Sequence, residues 1–103
     1  MADDVKIRGK ITNGVAELKA LIPHDMETGT RRDATGALVP PHYIQTVVCT
    51  RNGTQVLQAE WGPAVSKNPF FAFSVRNAKA GDVIRIEWTD NQQGTGSGEL
   101  VLQ

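Results

Sequence analysis

The sequence contains a single cysteine, Cys49, among its 103 residues. That excludes an internal disulfide framework and any all-cysteine zinc site. Excess charge is also missing: eleven Lys and Arg balance eleven Asp and Glu, and the pI is about 6.7. Sequence-independent nucleic-acid binding needs a basic surface for phosphate contacts, so no nucleic-acid partner is expected. Long apolar runs are absent as well. Hydrophobic residues make up 40% of the chain but come in short runs broken by charge, which excludes a transmembrane helix and points to no membrane partner. The amino end, Met1-Ala2-Asp3-Asp4-Val5-Lys6, has no apolar segment behind a basic one, so no secretory leader is expected. No interdomain linker and no internal repeat interrupts the chain. One domain spanning residues 1–103 with one core is expected.

What the sequence does have is β-favouring runs separated by Gly, Pro, Asn and Asp. From Val5 to Ile11, Val5, Ile7 and Ile11 alternate with Lys6, Arg8 and Lys10, the period of a half-buried strand. Asn13-Gly14 signals a turn into a second run, Val15 to Ile22. A polar stretch from Pro23 to Pro41 follows, long for a loop in a compact domain. The runs Tyr43–Thr50 and Gln55–Trp61 flank Asn52-Gly53, a strong hairpin signal because both turn positions need positive φ. Phe70–Arg76, Val83–Thr89 and Glu99–Gln103 complete the set, with Asp90–Gly98 expected as a glycine-rich turn. Seven short strands and no convincing helix predict an all-β fold, an immunoglobulin-like antiparallel β-sandwich without the usual disulfide.

Few residues offer chemistry. Cys49 falls within a strand, on the face of Tyr43, Gln45 and Val47, and is expected as a buried small hydrophobe. Activating it as a nucleophile would need a nearby cation, and Arg51 is weak support. His24 and His42 flank the long loop, with Asp25 and Glu27 close by, and two His plus a carboxylate is a zinc-type donor set. Their spacing matches no metal motif, so no metal and no cofactor is expected. Ser66 with either histidine fits no strained nucleophile turn, so no catalytic residue is assigned. Gly94-Thr95-Gly96-Ser97-Gly98 precedes a strand and is followed by Glu99, unlike a dinucleotide or P-loop cradle. Asn52-Gly53-Thr54 matches a glycosylation acceptor, but the hairpin accounts for it. Two loops remain. Pro23–Asp33 packs both charge signs around Met26, read as exposed, and Trp61–Pro69 combines a tryptophan with two prolines. Loops of this kind on a rigid scaffold commonly carry recognition, which favours a binding module over an enzyme.

These loops carry a resemblance. His24-x-Met26-Glu27-Thr28-Gly29-x-Arg31, Gly36-x-x-x-Pro40 leading into His42-Tyr43-Ile44, Trp61-Gly62-Pro63-Ala64-Val65-Ser66-Lys67-Asn68-Pro69 and Ala78-Lys79-Ala80-Gly81-Asp82 closely resemble the SoxZ family. The likeness covers essentially the whole chain, and its most specific part is the nine-residue tryptophan loop. Asp25 departs from it, standing where the family pattern has proline.

The resemblance implies a non-catalytic subunit of the heterodimeric SoxYZ sulfur carrier in thiosulfate oxidation. SoxY would carry the sulfur intermediates on a cysteine in its glycine-rich C-terminal arm. Transient partners would be a haem thiosulfate-conjugating enzyme, a manganese-dependent hydrolase and a sulfane dehydrogenase. It also implies a periplasmic protein exported folded with SoxY, whose twin-arginine signal serves both chains. The internal pair Arg31-Arg32 cannot supply that signal, because no apolar segment follows it. Interfaces favour aromatic, Met and Arg anchors, so His24, Met26, Arg31, Tyr43 and Trp61 are candidate partner contacts. The isolated chain could pair with itself through the same surface. The competing readings are a small metal- or thiol-dependent enzyme using His24, Asp25, Glu27, His42 or Cys49, and a general interaction sandwich.

Overall fold

A computed structural model describes residues 5–103; the amino end read for a leader lies outside the described residues. Seven strands form two antiparallel sheets: β1 (Lys6–Thr12), β2 (Val15–Leu21), β3 (Ile44–Arg51), β4 (Thr54–Glu60), β5 (Phe70–Val75), β6 (Val83–Asp90) and β7 (Thr95–Val101). One sheet has the order β1-β2-β5 and the other β4-β3-β6-β7. This is the expected immunoglobulin-like sandwich, with no helix among the described residues and no disulfide. None of the described residues forms a helix long and apolar enough to cross a membrane.

Period-two patterning produces the layers. Ala16, Leu18 and Ala20 of β2 and Ile84, Ile86 and Trp88 of β6 point inward and are buried, while Glu17, Lys19 and Glu87 point out. Both Asn-Gly pairs have positive φ at each residue, 53° and 79° at Asn13-Gly14 and 51° and 83° at Asn52-Gly53. That is the type I′ geometry whose twist matches the flanking strands.

Two local readings need correction. In β3 the register against β6 shifts between Ile44 and Thr46, so one extra residue is accommodated there. This bulge puts Ile44 and Val47 in the core and leaves Gln45 exposed, breaking the simple alternation read from Tyr43 to Cys49. The segment Thr95–Gly98, expected as part of a turn, is the first half of β7. The Val5 N–H donates to the Ser97 carbonyl at 3.1 Å, and a Cβ on Gly98 would overlap the Val5 carbonyl oxygen. Glycine here lets Val5 lie against the last strand.

Both long loops cross between the sheets at the same end of the sandwich. Residues 22–43 carry the chain from β2 to β3, and residues 61–69 bring it back from β4 to β5. The β6–β7 turn lies at that end too, because β6 runs antiparallel to β3 and ends opposite Ile44.

Candidate functional site

The two recognisable loops are stitched together. His24 N–H donates to Asn68 Oδ1 at 3.0 Å, Asn68 N–H donates to the His24 carbonyl at 2.8 Å, and Ile22 N–H reaches the Pro69 carbonyl at 3.0 Å. The long loop also pairs with itself, through Glu27 with His42 and Arg32 with Leu38. Asn91, just past β6, receives Tyr43 N–H on its side chain and donates to the Pro41 carbonyl.

Asp90 is at the centre of this end. It is 5% exposed, and Oδ2 accepts from His24 Nε2 at 3.0 Å and from His42 Nε2 at 2.7 Å. Oδ1 accepts the backbone N–H of Gln92 at 2.9 Å and of Gly94 at 2.6 Å. Burial, the largest single influence, pushes the Asp90 carboxyl up. The hydrogen bonds from His24, Gly94, His42 and Gln92 outweigh it and hold the group down at about 2, against an ordinary 3.8.

The folded carboxyl therefore keeps its charge to lower pH than the unfolded one. Its contribution is present above about pH 4 and is lost as pH falls through about 2, at most about 2 kcal/mol. Urea midpoints measured from pH 6 down to pH 2 should fall steeply at the acid end in the native chain, and less steeply in Asp90→Asn.

The structure thus unites His24 and His42, as a metal reading would require, but with Asp90 rather than the neighbouring acids. Asp25 is exposed, and Glu27 forms a bidentate ion pair with Arg31 at 2.8–3.2 Å. That bond is the main reason the Glu27 carboxyl sits below its ordinary value. One donor atom each from His24, His42 and Asp90 lies within 4.8 Å of the others, a two-histidine, one-carboxylate set.

The ring tautomer at His24 suits a hydrogen bond to Asp90. His24 Nδ1 accepts the Met26 N–H at 3.0 Å, so the ring proton is on Nε2 and points at Asp90. A metal-bound histidine needs a bare coordinating nitrogen and normally donates from the other one; the arrangement at His24 is the reverse. The cluster is a hydrogen-bond anchor tying the long loop to the end of β6. Trp88 stands edge-to-face against His24 at 5.1 Å, and its indole N–H is buried without an acceptor among the described residues. An open cleft of about 480 Å³ lies over this cluster, bordered by Pro23, Asp25, Asn68 and Thr95.

The residues singled out from the sequence divide by burial. Met26, read as exposed, is 5% exposed, and its sulfur accepts the Ile44 N–H at 3.3 Å. Its φ of 53° is rare for a bulky side chain. The N–H bond to His24 and the buried side chain together hold that strained conformation. His24 is 7% exposed, so it too lies beneath the surface as the chain stands. Arg31 is exposed, and Tyr43 and Trp61 are half-buried, with Trp61 edge-to-face on Phe71 at 5.5 Å. Cys49 is fully buried between Leu57 of β4 and Ile86 of β6, and burial raises its thiol to about 11.

Asp90 was missed in the sequence. Its signal there is that of a turn residue, an aspartate at a strand end two and four residues before the N–H groups it binds. Nothing local pairs it with histidines 48 and 66 positions earlier.

A search of curated proteins gives no match. Among solved structures, the crystal structure of a superoxide reductase in the oxidised state is similar in fold. It has 18% identity and a TM-score of 0.66, and the alignment covers 98% of this chain and 88% of that one. At that identity the likeness speaks to the sandwich alone. The family model described as sulphur oxidation protein SoxZ matches residues 5–101, nearly the whole chain and both stitched loops, so this chain belongs to the SoxZ family and has a role in sulfur oxidation.

Proposed function

We propose that this chain is the non-catalytic subunit of a SoxYZ sulfur carrier: it binds and stabilises SoxY, which carries the sulfur intermediates on its arm cysteine. The observation that carries this reading is the state of the only thiol. A carrier thiol must be exposed to enter several active sites and must be able to ionise there to react. Cys49 is fully buried in the central pair of β3 and β6, with its thiol raised to about 11. At neutral pH its thiolate would be roughly one part in 10⁴. A sulfur-oxidation protein so arranged needs its working cysteine on another chain.

The same reading puts the complex in the periplasm, exported folded with SoxY, where the haem, manganese and sulfane-oxidising enzymes act on the carrier. Arg31, Tyr43 and Trp61 remain the candidates for contact from the loop end. The metal-dependent alternative is disfavoured by the ring proton of His24. It predicts a stoichiometric transition metal in protein purified without chelators, and our reading predicts none at this cluster.

Co-expression with the SoxY of the same genome tests the proposal. The expected result is a one-to-one complex through affinity and size-exclusion steps. Failure of the two chains to co-purify would overturn it.

A further inference from the structure

The chain is neutral overall, but one face is not. On the outer side of the β1-β2-β5 sheet the registers pair Lys6 with Leu21, Arg8 with Lys19 and Lys10 with Glu17, and β5 adds Phe70, Ala72 and Ser74 in the same rows. Four cations and one anion therefore share a single sheet surface. The face carries a formal charge of +3, and the rest of the neutral chain carries −3. All of these side chains are exposed except the half-buried Leu21.

Two features of this face work against the isolated fold. Arg8 and Lys19 are directly opposed across β1 and β2, where like charges destabilise a sheet. None of Lys6, Arg8, Lys10 and Lys19 has an ion-pair partner among the described residues. Phe70 is 63% exposed, the most exposed large hydrophobic residue among those described, and sits beside Leu21. The depression they share with Lys6, Arg8, Lys19 and Ala20 is about 350 Å³. A phenylalanine at the corner of an uncompensated basic row combines an aromatic anchor with charged flanks, as protein interfaces do. A purely electrostatic surface for polyanions would have no use for the apolar corner.

We infer that the outer face of the β1-β2-β5 sheet is the surface on which this chain receives its partner subunit, through an acidic patch over Arg8 and Lys19 and an apolar side chain covering Phe70 and Leu21. The inference rests on the partner reading above and specifies its surface.

The test uses the co-expressed complex with SoxY and four variants: Arg8→Glu, Arg8→Glu with Lys19→Glu, Phe70→Ser, and Lys79→Glu as a charge reversal off this face. Arg8→Glu turns a like-charge pair into an opposite-charge pair. It should leave the melting temperature of the isolated chain unchanged or higher while weakening partner binding at least about tenfold. A merely structural residue would not move the two in opposite directions. The double reversal should weaken binding further, on the order of 100-fold, and raising NaCl should weaken wild-type binding. Phe70→Ser should weaken binding without unfolding the chain, and Lys79→Glu should bind as wild type. A zero-length carbodiimide should join Lys6, Lys10 or Lys19 to carboxylates of the partner.

If SoxY co-purifies but binds all four variants like wild type, with no such cross-links, the partner reading stands and this surface is overturned. Failure of SoxY to co-purify at all overturns both. Binding of phosphatidylglycerol vesicles or duplex DNA that Arg8→Glu abolishes, with partner binding unchanged, would overturn the inference in favour of a polyanion surface.

Discussion

Replacing Asp90 by alanine is expected to destabilise the chain by about 3–5 kcal/mol, the range for breaking a buried ionic network by removing one partner. In a domain of this size that should lower the melting temperature by at least about 12 °C. Four donors lose their acceptor at once: Nε2–H of His24 and of His42, and the N–H groups of Gln92 and Gly94. The long loop also loses its tie to the end of β6. Asp90→Asn keeps the shape, but its amide can accept at only one of the two faces, so its loss should be smaller yet clear. His42→Ala removes one bond from a half-buried ring and should cost about 1–2 kcal/mol. Thermal melts of the three variants order these effects. An Asp90→Ala chain melting within a degree or two of wild type would remove the anchor reading and reopen the cluster as a ligand site.

The second large effect is expected at Gly98, where alanine should cost about 3 kcal/mol or more. A Cβ there would overlap the Val5 carbonyl oxygen and come within 2.9 Å of the Val5 carbonyl carbon. These are backbone atoms and cannot rotate away, so the amino-terminal strand would have to lift and release its bond to Ser97. Gly62→Ala provides the contrast: a Cβ at Gly62 meets nothing within 4 Å, and the change should stay within about 0.5 kcal/mol. Equal stability for the two variants would show that the close approach of Val5 to β7 does not exist in solution.

These two positions also show what a sequence can and cannot reveal. Strand patterning was legible because most strands turn one apolar face inward, and Leu100 and Leu102 do face inward while Val101 is 49% exposed. The Asn-Gly hairpins were legible because their geometry depends on two adjacent residues. Gly98 looked like loop because glycine runs usually are; only the neighbouring strand explains its place in β7. The bulge at Gln45 is likewise set by the register against β6, which no window of β3 contains. Both histidines stood out, but adjacency pointed to Asp25 and Glu27 as their acidic partners. The pairing of β3 with β6 supplied Asp90 instead. Met26 appeared exposed amid charges because burial at a positive φ cannot be read from neighbours. Cys49, by contrast, sits in a run of Val and Ile partners, and its burial was readable at once.

The central claim is that this chain supports sulfur carriage without a working thiol of its own. Alkylation of Cys49 by iodoacetamide in the folded chain, followed by intact mass, tests it most directly. The account predicts negligible addition over hours at neutral pH and a single complete addition once the chain is unfolded in denaturant, because the buried thiol, raised to about 11, is neither accessible nor ionised. Rapid, complete modification of the folded chain, with its melting transition intact, would contradict it.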